Sequence, residues 1–248
     1  MKLNRNQIKI LMMIFMTLDH VAYAFLSLRT PAYQIMRFFG RMVAPTMCYL
    51  LVEGFIYTSS RKNYIKRMLL FALVSYWPFL FLSHPKAMLG QASLFQKDFS
   101  MLFTLALCLV MLQGLELAER NLQEGFERLF MQFVIISAAI ILSMPCDWHI
   151  FGPCYTAVFY LYRKDDVRCD LMVTLITLAV WYYSVRGWPA PLLTVLRYSW
   201  FCAGSLAVIL IRRMYSHQTG SPKLKHAFYI YYPLHLAVID LIKYIKIR

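Results

Sequence analysis

Hydrophobic residues fall into nine long stretches along the chain, separated by short polar segments. The stretches are Ile8–Leu28, Ile35–Tyr57, Met68–Leu82, Met101–Leu117, Leu129–Met144, Trp148–Tyr162, Leu171–Val185, Leu192–Ile211 and Ala227–Tyr244. A helix that crosses a membrane needs roughly 20 mostly apolar residues, and several of these stretches are shorter. The weakest, Trp148–Tyr162, contains Gly152-Pro153 and could be broken or re-entrant. The pattern predicts an all-α fold, a polytopic transmembrane helix bundle of about nine spans.

The composition excludes a water-soluble fold. Hydrophobic residues make up 60% of the chain and charged residues 15%, whereas soluble domains are roughly 45–50% apolar and about 25% charged. So few charges cannot cover the surface of a soluble domain of 248 residues. Because the apolar stretches run from end to end, a soluble enzyme with one anchor is also excluded. We therefore expect a single integral membrane domain over residues 1–248, surrounded by membrane lipid.

The basic residues are distributed unevenly between alternate polar segments. The net charge is +14, and sixteen of the 26 lysines and arginines fall in segments that share a side with the N-terminus, against seven on the other side. Short cytoplasmic loops collect Lys and Arg, which predicts a cytoplasmic N-terminus. An odd number of spans would place the three bases of the tail outside, so eight or ten spans stay open. The sequence contains no nucleic-acid-binding module or long basic run, and we expect no nucleic-acid partner.

The first stretch has some features of a signal peptide. Lys2, Arg5 and Lys9 precede the apolar run, and Ala22-Tyr23-Ala24 fits a cleavage site. Asp19-His20 interrupts the apolar region just before that site, which a signal peptide would not need. We interpret the stretch as an uncleaved first span.

The six cysteines give no indication of a metal site. They are scattered along the chain without a Cys-x-x-Cys pair, so neither a zinc site nor a thioredoxin-like motif is supported. We expect most of them to be small buried apolar residues, and we expect no bound metal.

Apart from Lys9 at the start of the first stretch and the tyrosines, five ionisable residues lie inside the first two stretches, where a charge is costly by roughly 2.5–3.5 kcal/mol and therefore points to function. They are Asp19, His20, Arg37, Arg41 and Glu53. Arg37 and Arg41 are four residues apart and share a helix face. Glu53 follows Arg41 by twelve residues, about three and a third turns, and is expected on approximately the same side.

The residues alone leave the roles of this group open. The arginines could snorkel to the outer interface, and Asp19-His20 could be a structural pair that joins two helices. A carboxylate beside a histidine raises the basicity of the imidazole and can orient it. Adjacent helix residues point about 100° apart, however, so Asp19 could instead pair with Arg37 or Arg41. Either arrangement allows His20 a role in proton transfer.

The loop after the second stretch carries a cluster of bases. Arg61, Lys62 and Arg67 lie there, together with two serines and an asparagine. These bases either set the topology or dock a phosphate-bearing cosubstrate on the cytoplasmic side.

Weaker candidates lie later in the chain. Ser100 and Thr104 are four residues apart and could simply hydrogen-bond their own helix. Asp147 lies at the start of the sixth predicted span, which is the least certain of the nine. Together with Trp148 it resembles a pair of residues at the membrane interface. Tyr232-Pro233 breaks the last span and could aim His235 into a cavity, or could be a kink without chemistry.

Several of these residues belong to longer segments that resemble the TraX family, which includes the F-pilin acetylation protein of conjugative plasmids. The segments are Met16-Thr17-Leu18-Asp19-His20, Arg37-Phe38-Phe39-Gly40-Arg41-Met42-Val43-Ala44-Pro45, Glu53-Gly54-Phe55-Ile56-Tyr57-Thr58, Asn63-Tyr64-Ile65-Lys66-Arg67, Leu102-Phe103-Thr104-Leu105, Asp147-Trp148 with Gly152, and Phe228-Tyr229-Ile230-Tyr231-Tyr232-Pro233-Leu234-His235-Leu236. They cover the chain from end to end. One departure is Ser100, where many relatives are expected to carry Asn.

The resemblance implies a multi-pass N-acetyltransferase of the bacterial inner membrane. Its substrate would be the N-terminal Ala of a processed conjugative pilin, and its acetyl donor would be acetyl-CoA. The family is also similar to the broader membrane acyltransferases, in which a membrane His is regarded as catalytic.

Acetyl transfer suits the candidate residues. A base must accept the proton of the amine, and a positive group must stabilise the developing oxyanion. Our hypothesis assigns the first role to His20, oriented by Asp19, and the second to Arg37 and Arg41, one of them held by Glu53. Arg61, Lys62 and Arg67 would attract the phosphates of the donor. Ser100, Thr104, Asp147, Tyr232 and His235 would contact the substrate or support the site.

Two other classes of function remain open. A small multi-span transporter also places ionisable residues inside a bundle, although no repeat between halves is visible. A non-enzymatic pilin assembly factor would explain the hydrophobic composition but not the five ionisable residues.

Overall fold

A computed structural model describes residues 2–84, 98–187, 189–218 and 227–247. The α-helices are α1 (Arg5–Phe25), α2 (Pro31–Arg41), α3 (Val43–Tyr57), α4 (Arg61–Val74), α5 (Tyr76–Ser83), α6 (Met101–Asn121), α7 (Phe126–Ser143), α8 (Phe151–Leu161), α9 (Asp166–Val185), α10 (Leu192–Ser199), α11 (Ala207–Met214) and α12 (Ala227–Ile247). A 3₁₀ helix, Trp200–Leu206, joins α10 to α11. Within the described ranges there is no β-strand, and the predicted all-α class is confirmed.

Five of the helical segments are long and apolar enough to cross a membrane. They are Arg5–Phe25, Pro31–Tyr57, Met101–Asn121, Phe126–Ser143 and Leu192–Met214. The pair α4 and α5, bent by 44°, raises the number to six if it forms one span. The described residues thus form a multi-helix membrane protein, while nine spans and a cytoplasmic N-terminus stay predictions.

The break between α2 and α3 follows from a proline. Pro45 has no N–H, so the carbonyl of Arg41 lacks the donor that a continuous helix would supply. The hydroxyl of Ser205, in the 3₁₀ helix, donates to that carbonyl at 3.3 Å instead. The regular helix is therefore interrupted at Met42, immediately after Arg41, although Pro31–Tyr57 still has the length and apolarity of one span.

Gly152-Pro153 begins a helix instead of breaking one. Both residues lie in the first turn of α8, where a backbone N–H has no intrahelical partner and proline is tolerated. The helix has 11 residues, too few to span a bilayer alone, and most of its side chains are buried against α3 and α6.

The interior of the bundle is built on α3, α6 and α8. Residues 43–53 of α3 are all buried, as is one face of α6 that includes Leu105, Leu109 and Leu112. In contrast, α7 exposes large apolar side chains such as Phe130, Phe133 and Ile141, as expected for a helix that faces lipid.

Backbone hydrogen bonds tie loops together at the two ends of the bundle. At the end that contains the N-terminus, Leu3 donates to the carbonyl of Met214 at 2.7 Å and accepts from the N–H of Ser216 at 2.8 Å. At the opposite end, Phe99 and Asp147 are joined by an N–H···O bond of 2.7 Å. We call these the N-terminal end and the Asp147 end.

Candidate functional site

A cavity of about 550 Å³ lies at the Asp147 end, between α1, α2, α9 and the loop before α8. Asp19, His20, Arg37, Arg41 and Asp147 all line it. Its volume is in the range of small-molecule sites, roughly 300–1,000 Å³. The structure therefore brings four of the five ionisable residues of the first two predicted spans to one place.

Asp19 forms an ion pair with Arg37. The Arg37 Nη1 atom lies 2.7 Å from Asp19 Oδ2, and both side chains are mostly buried. Gly40 makes room for this carboxylate, because a Cβ at that position would collide with Asp19. The hypothesis that Asp19 orients His20 is wrong, since adjacent residues of a helix point in different directions.

His20 is instead held by a histidine from the other end of the chain. The Nδ1 atom of His20 lies 2.8 Å from Nε2 of His235, and the two rings are stacked. On its far side, His235 Nδ1 lies 2.9 Å from the carbonyl oxygen of Tyr231. The ring of Tyr231 stacks on His235, and its hydroxyl is 2.7 Å from Thr17 Oγ1.

Arg41 contacts the aromatic wall of the cavity. Its guanidinium lies 5.4 Å from the ring centroids of both Trp148 and Phe201, within the range of cation–π attraction. Asp147 is nearby: burial raises the pKa of its carboxyl, and Arg41 opposes that shift. Its Oδ1 accepts the backbone N–H of Trp148 at 3.0 Å, and Trp148 has a φ of 61°, uncommon for a residue with a side chain.

A comparison with known proteins identifies the family. The family model described as TraX protein matches residues 4–243, almost the entire chain. This chain belongs to the TraX family. Among curated proteins, it is 29% identical over 240 residues to the probable fimbrial assembly protein FimC, serogroup H1, of Dichelobacter nodosus, covering 94% of this chain and 93% of the relative. No solved structure matches it.

Glu53 of this TraX protein lies outside the cavity. It points into a second cavity of about 260 Å³ at the N-terminal end, where its carboxylate is 3.3 Å from His217 Nδ1. Arg163, Arg212 and three other charged residues line the same space. The predicted contact between Glu53 and an arginine of the second stretch is wrong, because α3 rises about 18 Å over twelve residues and carries Glu53 toward the other end.

The three bases proposed to hold donor phosphates do not form one patch. Arg61 is paired with Glu116 and lines a third cavity of about 330 Å³ with Glu119 and Arg120. Lys62 is exposed. Arg67 faces α12, where it interacts with the hydroxyl of Tyr229. Arg61 and Arg67 are six residues apart on a helix, which puts them on different faces.

Ser100, Thr104 and Tyr232 lie behind the cavity. The hydroxyls of Ser100 and Ser75 are 3.0 Å apart, and Thr104 donates to the backbone carbonyl of Asp147. Both bonds join different elements, so the alternative in which these side chains bond only their own helix does not apply, and both residues support the structure around the cavity. Tyr232 is buried near the start of α6 and packs edge-on against His235, with 5.6 Å between the ring centroids.

Sequence reasoning missed His149. It lines the main cavity, packs edge-on against Tyr183 with 5.6 Å between ring centroids, and has a buried Nδ1 with no partner among the described residues. The sequence signal that could have identified His149 as a site residue is its position two residues after Asp147.

Proposed function

We propose that this protein is a membrane N-acetyltransferase. It transfers acetyl from acetyl-CoA to the amine of the N-terminal Ala of a processed conjugative pilin. The observation that carries the proposal is the position of His20: a histidine in the wall of a cavity of about 550 Å³, together with Arg37 and Arg41. The name of the Dichelobacter nodosus relative, a fimbrial assembly protein, supports the connection to pilin.

In the proposed reaction, the neutral amine attacks the thioester carbonyl. The new C–N bond forms, the C–S bond breaks, and His20 accepts the proton that the amine loses. The thiolate of coenzyme A leaves and takes up a proton. Arg41, which has no ion-pair hydrogen bond among the described residues, is the cation available to the developing oxyanion. Arg37 is already neutralised by Asp19 and positions the wall of the cavity.

The donor and the acceptor would approach from opposite ends. We infer about nine passes of the chain, with the N-terminus cytoplasmic and the membrane the bacterial inner membrane. The main cavity then lies in the outer half of the bilayer, where a pilin N-terminus can reach it. Donor phosphates would bind at the N-terminal end, where Lys62 is exposed, although Glu116 already balances the charge of Arg61.

A non-enzymatic pilin assembly factor is the second candidate, and the name of the Dichelobacter nodosus relative favours it. A non-enzymatic role does not explain why His20, Arg37 and Arg41 line one cavity. A small transporter is the third candidate, because an ionisable cavity would also suit an ion or solute pathway.

One assay separates the enzyme from the assembly factor. Purified protein in detergent is incubated with acetyl-CoA and a peptide that carries the pilin N-terminal sequence, and the release of coenzyme A thiol is followed. We expect thiol release that depends on the peptide, is absent with a peptide already acetylated at its N-terminus, and is lost in His20→Ala. The matched control, His217→Ala, removes a histidine of the second cavity and is expected to keep the activity. Peptide binding without thiol release would favour the assembly factor and contradict the enzyme.

A further inference from the structure

The pair His20 and His235 determines which nitrogen of His20 can act as a base. Each neutral imidazole has one N–H donor and one acceptor nitrogen. The carbonyl oxygen of Tyr231 can only accept, so His235 Nδ1, 2.9 Å away, must carry a hydrogen. Neutral His235 therefore has a bare Nε2, which can only accept.

The same reasoning continues to His20. Since His235 Nε2 accepts, the hydrogen in the 2.8 Å contact belongs to His20 Nδ1. Neutral His20 then has a bare Nε2. Within the described part of the chain, the hydrogen bonds of His20 involve Nδ1 alone, so Nε2 keeps its lone pair for another partner.

Helix geometry explains how His235 reaches the Tyr231 carbonyl. The two residues are four apart on α12, about one turn, and a carbonyl oxygen has two lone pairs, so it can accept from a side chain as well as from the backbone. The helix continues through Pro233, so the prediction that Tyr232-Pro233 breaks the last span is wrong. Tyr231 itself is fixed by its hydroxyl contact with Thr17 on α1, the helix that carries His20.

We infer that His235 is a positioning residue, which fixes His20 in the tautomer with hydrogen on Nδ1 and so presents Nε2 to the amine of the substrate. This inference rests on the proposed function and assigns a new role within the same site. During the reaction, Nε2 accepts the proton of the amine, and the resulting His20 cation donates a charge-assisted hydrogen bond from Nδ1 to His235. His235 thus orients the base and stabilises its charged form.

Magnetic resonance of the full-length protein in detergent tests the tautomer without any assay of activity. The histidines are labelled with ¹⁵N, and the signals of His20 are assigned by their loss in His20→Gln. We expect a protonated Nδ1 and a bare Nε2 in the wild type at a pH where the ring is neutral. A protonated Nε2 in the wild type would overturn the inference, whether or not the protein acetylates pilin.

Two substitutions of His235 add a kinetic readout. His235→Phe keeps a flat ring against Tyr231 but cannot accept a hydrogen bond. We expect the bare-Nε2 tautomer to lose its dominance and acetylation to fall about 10²-fold, with the main loss in kcat, because a misoriented base loses most of its roughly 10²–10⁴-fold effect. His235→Gln supplies an oxygen that can accept from Nδ1–H, and we expect it to recover most of the rate.

The outcomes distinguish the two proposals. A full rate in His235→Phe would contradict the positioning role, even if acetylation itself is established. If the wild type shows no acetylation but has the expected tautomer, the proposed function fails while the control of the tautomer by His235 stands. If His235→Phe does not fold, the wild-type and His235→Gln spectra decide.

Discussion

At the scale of single residues, the ion pair between Asp19 and Arg37 joins α1 to α2 inside the bundle. Removing one partner leaves the other charge buried and unpaired, which costs about 3–5 kcal/mol. We expect Asp19→Asn and Arg37→Gln each to lower the unfolding midpoint in detergent. The double substitution should be destabilised by clearly less than the sum of the two. Strictly additive effects would mean that the two side chains are not coupled.

Glu53 provides a matched test of which carboxylate belongs to the site. It lies in the second cavity with His217, away from His20. We therefore expect Glu53→Gln to keep acetylation within about threefold of wild type, since an effect below about 1 kcal/mol is usual away from a site. If Glu53→Gln loses as much activity as His20→Ala in the same thiol-release assay, this prediction is wrong and Glu53 has a role in acetyl transfer.

The sequence alone predicts the residues around His20 but not the hydrogen-bond partner of His20. The cost of burying charge indicated Asp19, His20, Arg37 and Arg41, and these four residues do line one cavity. The partner of His20 could not be found in this way, because His235 is 215 residues distant in the chain and only packing of α12 on α1 brings it near. Glu53 was misplaced because a shared helix face was taken as contact, although twelve residues carry Glu53 about 18 Å along the helix from Arg41.

At the scale of elements, the 3₁₀ helix controls the position of Arg41. Gly204 lies so close to α2 that a Cβ there would collide with the carbonyl of Phe38 and approach Cβ of Arg41 at 3.3 Å. We expect Gly204→Ala to cost about 1–3 kcal/mol and to reduce acetylation, because the two elements must separate.

A second glycine serves as the control for this substitution. The nearest atoms to a Cβ at Gly114 would belong to the side chain of Ile135, the first at 3.3 Å, and a side chain can adjust more easily than backbone. We expect Gly114→Ala to have less than half the effect of Gly204→Ala on the unfolding midpoint, and no effect on acetylation. Equal effects of the two substitutions would argue against a close fit between the 3₁₀ helix and α2.

The apolar stretches located the helices well but not their interruptions. Ile35–Tyr57 is a single hydrophobic stretch, yet the regular helix is interrupted at Met42, because Pro45 removes one donor and Ser205 replaces it. That replacement comes from a distant part of the chain, so local pattern could not reveal it. The same limit applies to Gly152-Pro153, whose effect depends on where α8 begins.

At the scale of the whole molecule, the proposed topology places the two ends of the bundle on opposite sides of the membrane. Lys62 is exposed near the N-terminal end, and Ser27 is exposed in the loop between α1 and α2. We expect a membrane-impermeant maleimide to label Ser27→Cys in cells with a permeabilised outer membrane, and Lys62→Cys only after the inner membrane is opened. The reverse order would invert the predicted orientation.

The central claim is that this protein acetylates pilin with His20 as the base. The most direct measurement is the intact mass of pilin from cells that contain the wild-type protein, His20→Ala at equal membrane level, or no protein. We expect the pilin to carry one N-terminal acetyl group with the wild type and none in the other two. Fully acetylated pilin with His20→Ala would remove His20 from the mechanism, and acetylation without the protein would contradict the proposed function.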